Sequence, residues 1–241
     1  MPLKEFAYQQ NLRHQKSPAE EILKQVLTDV RFGETALVSA FGSESVVLLH
    51  MVAQIAPRTP VLFLDTEMHF PETLQYQAQV SKTLGLKDVR IITPDREQVF
   101  IHDHDGLLHQ ADVDACCDLR KSQPLETALA NFDTWITGRK RIHGGQRVQL
   151  PLFEKESDVP RIKVNPLAHW TSAEIRDYMK AHKLPVHPLV AQGYPSIGCM
   201  PCTARVSSFA QPRDGRWSGK TKTECGIHRS PAPASSEMSA Q

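Results

Sequence analysis

Between residues 35 and 94 three apolar runs alternate with two helical stretches, and this pattern constrains the fold more than anything else in the chain. TALVS opens the first run at 35–45, VLFLDT forms the second at 61–66 and VRIITP the third at 89–94. SVVLLHMVAQIA at 45–56 reads as a buried helix, and PETLQYQAQVSKTLGL at 71–86 as a helix opened by Pro71 and closed near Gly85. Strand–helix–strand–helix–strand at this spacing predicts a parallel sheet joined by right-handed crossovers. The expected fold is therefore α/β, a mainly parallel sheet with helices on both faces.

The rest of the chain extends that sheet and then leaves it. SPAEEILKQVLTDV at 17–30 predicts a helix before the first strand, with Ser17 as its cap. A helix near 123–131, the strands TWIT at 134–137 and RIKVNPL at 161–167, and a helix over 171–183 follow, the last with a Thr171–Glu174 capping box. Residues 184–230 are rich in Pro, Gly, Ser and Arg without periodicity, so they are expected to wrap over the domain formed by 1–183. Residues 231–241 read as a disordered tail.

With 40% hydrophobic residues the chain can bury a core without disulfides, and 28 Lys plus Arg against 27 Asp plus Glu leave no global basic field to attract nucleic acid. No apolar run approaches the roughly 20 residues of a membrane helix. The N-terminus lacks the layout of a secretory signal. A cytoplasmic protein with reduced thiols is expected, where cysteines serve as ligands, nucleophiles or core residues.

In open parallel sheets ligands bind beyond the carboxyl ends of the strands. The loop Ser39-Ala40-Phe41-Gly42-Ser43-Glu44-Ser45 sits at such an end, before a helix whose N–H groups favour phosphate, and Leu64-Asp65-Thr66 ends the neighbouring strand. The loop matches neither GxxxxGK[ST] nor GxGxxG, and a Gly/Ser loop is also an ordinary turn.

The cysteines form an adjacent pair, Cys116-Cys117, a knuckle, Cys199-Met200-Pro201-Cys202, and a single residue, Cys225. Four thiolates suit zinc or an iron–sulfur cluster, and the adjacent pair fits zinc knuckles poorly. Adjacent side chains diverge by about 100° on a helix and nearly 180° on a strand, so residues 112–121 are expected to be helical if both thiols serve one centre. Two pairs of buried core cysteines would leave the same pattern. Cys225, followed by Gly226 and His228, suits either a reactive thiolate or an inert terminal cysteine. His102-Asp103-His104-Asp105 reads as a surface loop rather than a metal pair, and residues 140–145 suit a phosphate contact as well as a solvated loop.

In order along the chain, SAFGSES, LDT, CCDLRK, WITGRK, GCMPC and ECGIH resemble the assimilatory sulfonucleotide reductases, and specifically the iron–sulfur adenylyl-sulfate (APS) reductases. The resemblance implies a fold of the adenine-nucleotide α-hydrolase type and a [4Fe–4S] cluster on Cys116, Cys117, Cys199 and Cys202. It implies Cys225 as nucleophile, Lys121 between cluster and substrate, and His228 as a further catalytic residue. Arg213 and Arg216 match the arginines that grip the phosphosulfate, and Gly138 a glycine near the adenine. Ser39, Phe41, Gly42, Ser43, Leu64, Thr66 and Arg147 complete the expected nucleotide site. Ser45 stands where the wider superfamily often carries an acid.

The implied reaction reduces APS to sulfite and AMP. Cys225 attacks sulfur, and thioredoxin or a similar dithiol then releases sulfite. Lys121, Arg213, Arg216 and His228 are expected as local cations, and the C-terminal region as a flap over substrate. No nucleic acid and no membrane enters this reading, and a homo-oligomer is left open. PAPS, a tRNA-thiolating ATPase and a zinc-stabilised interaction module are the competing readings. The thiolating ATPase would want a stricter SGGxDS loop and a broader basic surface, and the zinc module leaves Cys225 and the nucleotide loop unexplained.

Overall fold

The structure is a computed structural model that describes residues 1–207, 211–220, 222 and 224–228. Its centre is a six-stranded sheet in the order β3-β2-β1-β4-β6-β5, built from β1 (Thr35–Ser39), β2 (Val61–Leu64), β3 (Val89–Ile92), β4 (Thr134–Ile136), β5 (Phe153–Lys155) and β6 (Ile162–Val164). All neighbours are parallel except β5, which runs antiparallel to β6 at the edge.

The apolar runs explain why this sheet is covered on both faces. Strands buried on both sides carry no polar alternation, and β2 is buried at every residue. Within β1 the period of two sorts side chains between faces. Leu37 joins the large cluster formed with α2 (Ala19–Thr28), α3 (Ser45–Ile55), α4 (Pro71–Leu84) and α9 (Ser172–Ala181). Ala36 and Val38 face the other way, with Leu125 and Leu129 of α8 (Gln123–Leu129) and Trp135. α3 presents buried residues around most of its circumference, as a helix pinned between sheet and neighbours must. α4 ends at Gly85, whose φ of 67° is the left-handed cap, with the Gly85 and Leu86 N–H groups returning to Lys82 and Ser81.

Strand order reverses between β1 and β4: β2 and β3 extend one way from β1, and β4, β6 and β5 the other. That reversal opens a crevice beyond the carboxyl ends of the two central strands. The residues after α9 cross these ends. Tyr76 Oη donates to Pro185 O at 2.9 Å, Ser43 Oγ to Pro195 O at 2.6 Å, and the Met200 N–H to Met68 O at 2.8 Å. Among its described residues the segment forms short 3-10 turns and isolated bridges. The expected tail, 231–241, lies outside the described residues.

Candidate active site

The crevice holds a cavity of about 240 Å³. Ser39, Gly42 and Ser43 of the β1–α3 loop line it, with Leu64 from β2 and Gly138 just past β4. The β1–β4 register, with Leu37 opposite Ile136, sets the loop and Gly138 side by side. Among the described residues a Cβ at Gly138 would meet Leu48 alone, at an ordinary 3.8 Å, so packing does not force glycine there. The missing side chain instead leaves room in the cavity. Ser45 Oγ accepts from the Gly42 N–H at 3.0 Å, so the residue standing in place of the superfamily acid closes the loop on itself.

Two residues expected to touch nucleotide do not line the cavity. Phe41 adopts φ 46°, which turns its ring into the core against Phe63 at 5.4 Å, fully buried. Left-handed backbone costs roughly 1–2 kcal/mol in a non-glycine residue, and burial of the phenyl ring offsets it. Thr66 points toward the cysteines: its Oγ1 lies 3.2 Å from Cys199 Sγ and accepts from the Met68 N–H at 3.3 Å.

Cys116 and Cys117 end α7 (Val113–Cys117), the helical setting that two adjacent ligands require. The helix then widens into a π-turn over Asp118–Ser122 before α8. Such turns often mark functional sites, because the extra residue rotates side chains out of the regular register. Here the turn carries Arg120 and Lys121. Arg120 is anchored by buried Asp103, 2.9 Å away, and donates to Thr66 O at 3.1 Å. Asp103 thus explains the His-Asp-His-Asp stretch as an internal anchor.

Lys121, buried at the cavity wall, donates to Cys117 Sγ at 3.9 Å. Burial alone would lower its pKa, but the thiols of Cys225, Cys199 and Cys117 outweigh burial and raise it, keeping the ammonium charged. Burial pushes the Cys116 thiol up to about 12, helped by Cys117 and Cys199. Burial also pushes Cys199 up, yet Lys121, the Thr66 hydroxyl and Arg216 bring it below its ordinary value.

All four thiols are buried and free. Cys199 and Cys202 pack with Trp217 and, at their margin, Met68, Val113 and Cys225. Among the described residues no group of three or more His, Cys, Asp or Glu converges as a single-ion site.

Beyond the knuckle, Arg213, Arg216, Glu224, Cys225 and His228 face the cavity. The Arg216 guanidinium lies 4.7 Å from the Trp217 ring and donates from Nη1 to Ile197 O at 3.0 Å, while its Nε is buried without a partner among the described residues. Burial and the charges of Arg147 and Arg216 pull Arg213 down to about 10, against the opposing charge of Glu224. Cys225 is half-buried. Gly226 sits on the π-turn, where a Cβ would come within 2.9 Å of Ser122 Oγ.

His228 departs from its expected role as a cation. Its ring stacks on Trp135 at 6.0 Å, and burial, followed by Arg139, Lys163, Arg147 and Arg213, pushes its pKa well below the usual value. The imidazole is neutral, and its buried Nδ1 has no partner among the described residues.

The phosphoadenosine phosphosulfate reductase domain family matches residues 34–205, which run from β1 through the cysteine knuckle. The chain belongs to that family. A Mesorhizobium japonicum relative named adenosine 5'-phosphosulfate reductase is 48% identical over 87% of this chain and 82% of its own. A Gloeobacter violaceus relative named phosphoadenosine 5'-phosphosulfate reductase is 41% identical over 82% of this chain and 83% of its own. The crystal structure of the Candida auris phosphoadenylyl-sulfate reductase in a phosphate complex superposes with a TM-score of 0.71 at 27% identity, covering 83% of this chain and 97% of that one. The α/β fold expected from the sequence is thus the fold of the reductase family.

The cavity wall extends beyond the residues expected to touch substrate, and Lys140 and His143 bring the 140–145 loop into it. Arg139, Lys140, His143, Glu44, Glu224 and His69 line it as well. Lys140 pairs with Glu44 at 2.8 Å, and Glu44 is held down at about 2, burial being outweighed by His143 and Lys140. His69 Nε2 donates to Leu64 O at 2.8 Å, leaving Nδ1 buried without a partner among the described residues. The basic run at 139–147 was the available signal. Glu224 gave none beyond standing next to Cys225.

Proposed function

We propose that this reductase converts adenosine 5'-phosphosulfate to sulfite and AMP through a Cys225 S-sulfonate, with thioredoxin or a similar dithiol as reductant. One observation carries the reading: Cys225, Lys121, Arg213 and Arg216 line a single cavity at the sheet's switch point, beside Cys199. The 48% identity to a relative named for APS supports APS over PAPS, and the assignment to sulfate assimilation for cysteine biosynthesis follows from the same relationship.

The chemistry suits these groups. An anionic thiolate must approach an anionic sulfate, so buried cations have to neutralise both. Lys121 is held charged among the thiols, and Arg213 and Arg216 offer planar donors to phosphosulfate oxygens. The Cys225 Sγ–sulfur bond forms as the sulfur–oxygen bond to AMP breaks. A dithiol then attacks Cys225 Sγ and sulfite departs with the bonding pair. The second thiol of the donor resolves the mixed disulfide, so two thiols supply both electrons. His228, neutral and stacked, orients the segment and offers a hydrogen bond; the cations are Lys121 and the arginines.

Cys116, Cys117, Cys199 and Cys202 would hold a [4Fe–4S] cluster. The donor set suits it: four buried free thiols, with Cys117 beside Lys121 and Cys199 beside Thr66 at the cavity wall. When bound, the cluster would supply a fixed four-thiolate floor and tune the field around Lys121. Iron and acid-labile sulfide analysis tests it against zinc.

Cys225→Ser is expected to abolish the S-sulfonate adduct and sulfite release while leaving the visible absorption of the metal centre unchanged. Sulfite release retained in that variant would overturn the assignment.

A further inference from the structure

The sequence places Arg147 at the nucleotide. The structure commits its donors elsewhere. Arg147 Nε donates to Glu224 Oε2 and Nη2 to Glu224 Oε1, both at 2.5 Å, a forked pair between two buried side chains 77 residues apart in sequence. Its remaining nitrogen, Nη1, lies 3.0 Å from His143 Nδ1. Nε2 of the same imidazole lies 3.6 Å from Glu44 Oε2, on the loop after β1. The guanidinium is therefore engaged along both edges by the protein itself. Arg216, with a buried Nε lacking a partner among the described residues, is not.

Glu224 has a second task. Its Oε1 accepts the backbone N–H of Cys225 at 2.9 Å. On the other flank the His228 N–H returns to Cys225 O at 3.0 Å, and Ile227 packs at the edge of the Leu125–Trp135 cluster. The main chain of Cys225 is thus pinned on both sides, by apolar packing after it and by one carboxylate before it. Arg213 Nη2, 4.0 Å from the same Oε1, brings a substrate-facing cation to this carboxylate.

We infer that Arg147 is a positioning residue that acts through Glu224. The pair seats the Cys225 backbone over the cavity, and the anionic groups of the substrate fall to the other cations. This rests on Cys225 being the nucleophile. It makes the nucleotide loop, through Glu44 and His143, the far end of a contact chain that terminates at the reacting residue.

A double-mutant cycle on the full chain tests it: Arg147→Met, Glu224→Gln and the two together. Two quantities are read. One is single-turnover formation of the Cys225 S-sulfonate from APS, by intact mass. The other is the rate at which iodoacetamide alkylates Cys225 without any nucleotide, by peptide mass. Each single variant should slow adduct formation about thirtyfold or more. The double variant should match the worse single within about threefold, because both remove one unit. KM for APS should stay within about threefold of wild type, and alkylation should quicken about tenfold or more in all three. A substrate-binding Arg147 gives a different pattern: KM rises about tenfold in Arg147→Met alone and the losses multiply. Either that pattern or unchanged alkylation overturns the inference. Glu224→Asp keeps the charge and shortens its reach, so it carries the same kcat-against-KM comparison if a charge-removing variant misfolds. A wild-type protein that forms no adduct with APS would count against the functional reading alone, since the alkylation comparison needs no nucleotide.

Discussion

At the scale of single residues, the site depends on atoms that are absent as much as on those present. Gly198 precedes the knuckle, and a Cβ there would fall 2.1 Å from Arg216 Nη2. The Arg216 guanidinium is layered between that backbone and the Trp217 ring. Gly198→Ala should therefore push Arg216 from its seat. KM for APS is expected to rise about tenfold, a loss of one charge-assisted contact, with melting temperature close to wild type. An unchanged KM would show that Arg216 does not need this seat. The residue types of the knuckle and of Cys225 were legible in the sequence because cysteine chemistry is specific and their spacing is short. The requirement at Gly198 was not, because it is imposed by a side chain far along the chain. The neutrality of His228 was hidden for the same reason: Arg139, Lys163, Arg147 and Arg213 reach it only after folding.

At the scale of elements, the strands and helices of the first half were readable because buried parallel strands leave uninterrupted apolar runs and crossover helices leave a 3.6-residue repeat. The Thr171–Glu174 capping box is formed as the sequence predicts. Ser17 does not cap α2; Pro18 holds the N-cap position, and Ser17 Oγ donates instead to Glu21, at 3.1 Å. α1 (Leu3–Arg13), α5 (Arg96–His102) and β5 were not anticipated. α1 buries only Phe6, Ala7 and Gln10, α5 buries nothing, and β5 is a three-residue edge strand, so none imposes a strong pattern. The π-turn had no sequence signature either, yet it aims Lys121, and Asp103 holds it through Arg120. Removing one partner of a buried pair costs about 3–5 kcal/mol. Asp103→Ala is expected to destabilise the protein by about 3 kcal/mol and, with the proposed cluster on the four cysteines, to lower the iron-to-protein ratio after purification. Full iron retention would mean that the turn stands without its anchor.

At the scale of the whole molecule, a formal charge of +1 conceals a strongly cationic centre. Lys121, Arg139, Lys140, Arg147, Arg213 and Arg216 converge on one cavity, and burial together with such neighbours leaves histidines there neutral. The same burial acts away from the site. His187, fully buried, accepts from the Leu189 N–H through Nδ1 at 3.2 Å and lies 3.2 Å from Thr73 Oγ1 through Nε2, and burial draws it down to about 4. A depressed folded value means that the unfolded chain binds protons the folded chain refuses. The stabilisation is therefore complete above the ordinary value of 6.5 and is lost as pH falls from there toward 4. The slope is about 1.4 kcal/mol per pH unit for each histidine held neutral, so His187 alone accounts for about 3 kcal/mol across that window. Urea unfolding should show stability level near pH 7.5 and falling steadily below pH 6.5. His187→Gln should be less stable at pH 7.5 but lose about 1.4 kcal/mol per unit less on the acid side. Parallel pH profiles for the variant and the wild type would show that His187 takes up its proton without unfolding the segment that crosses the sheet.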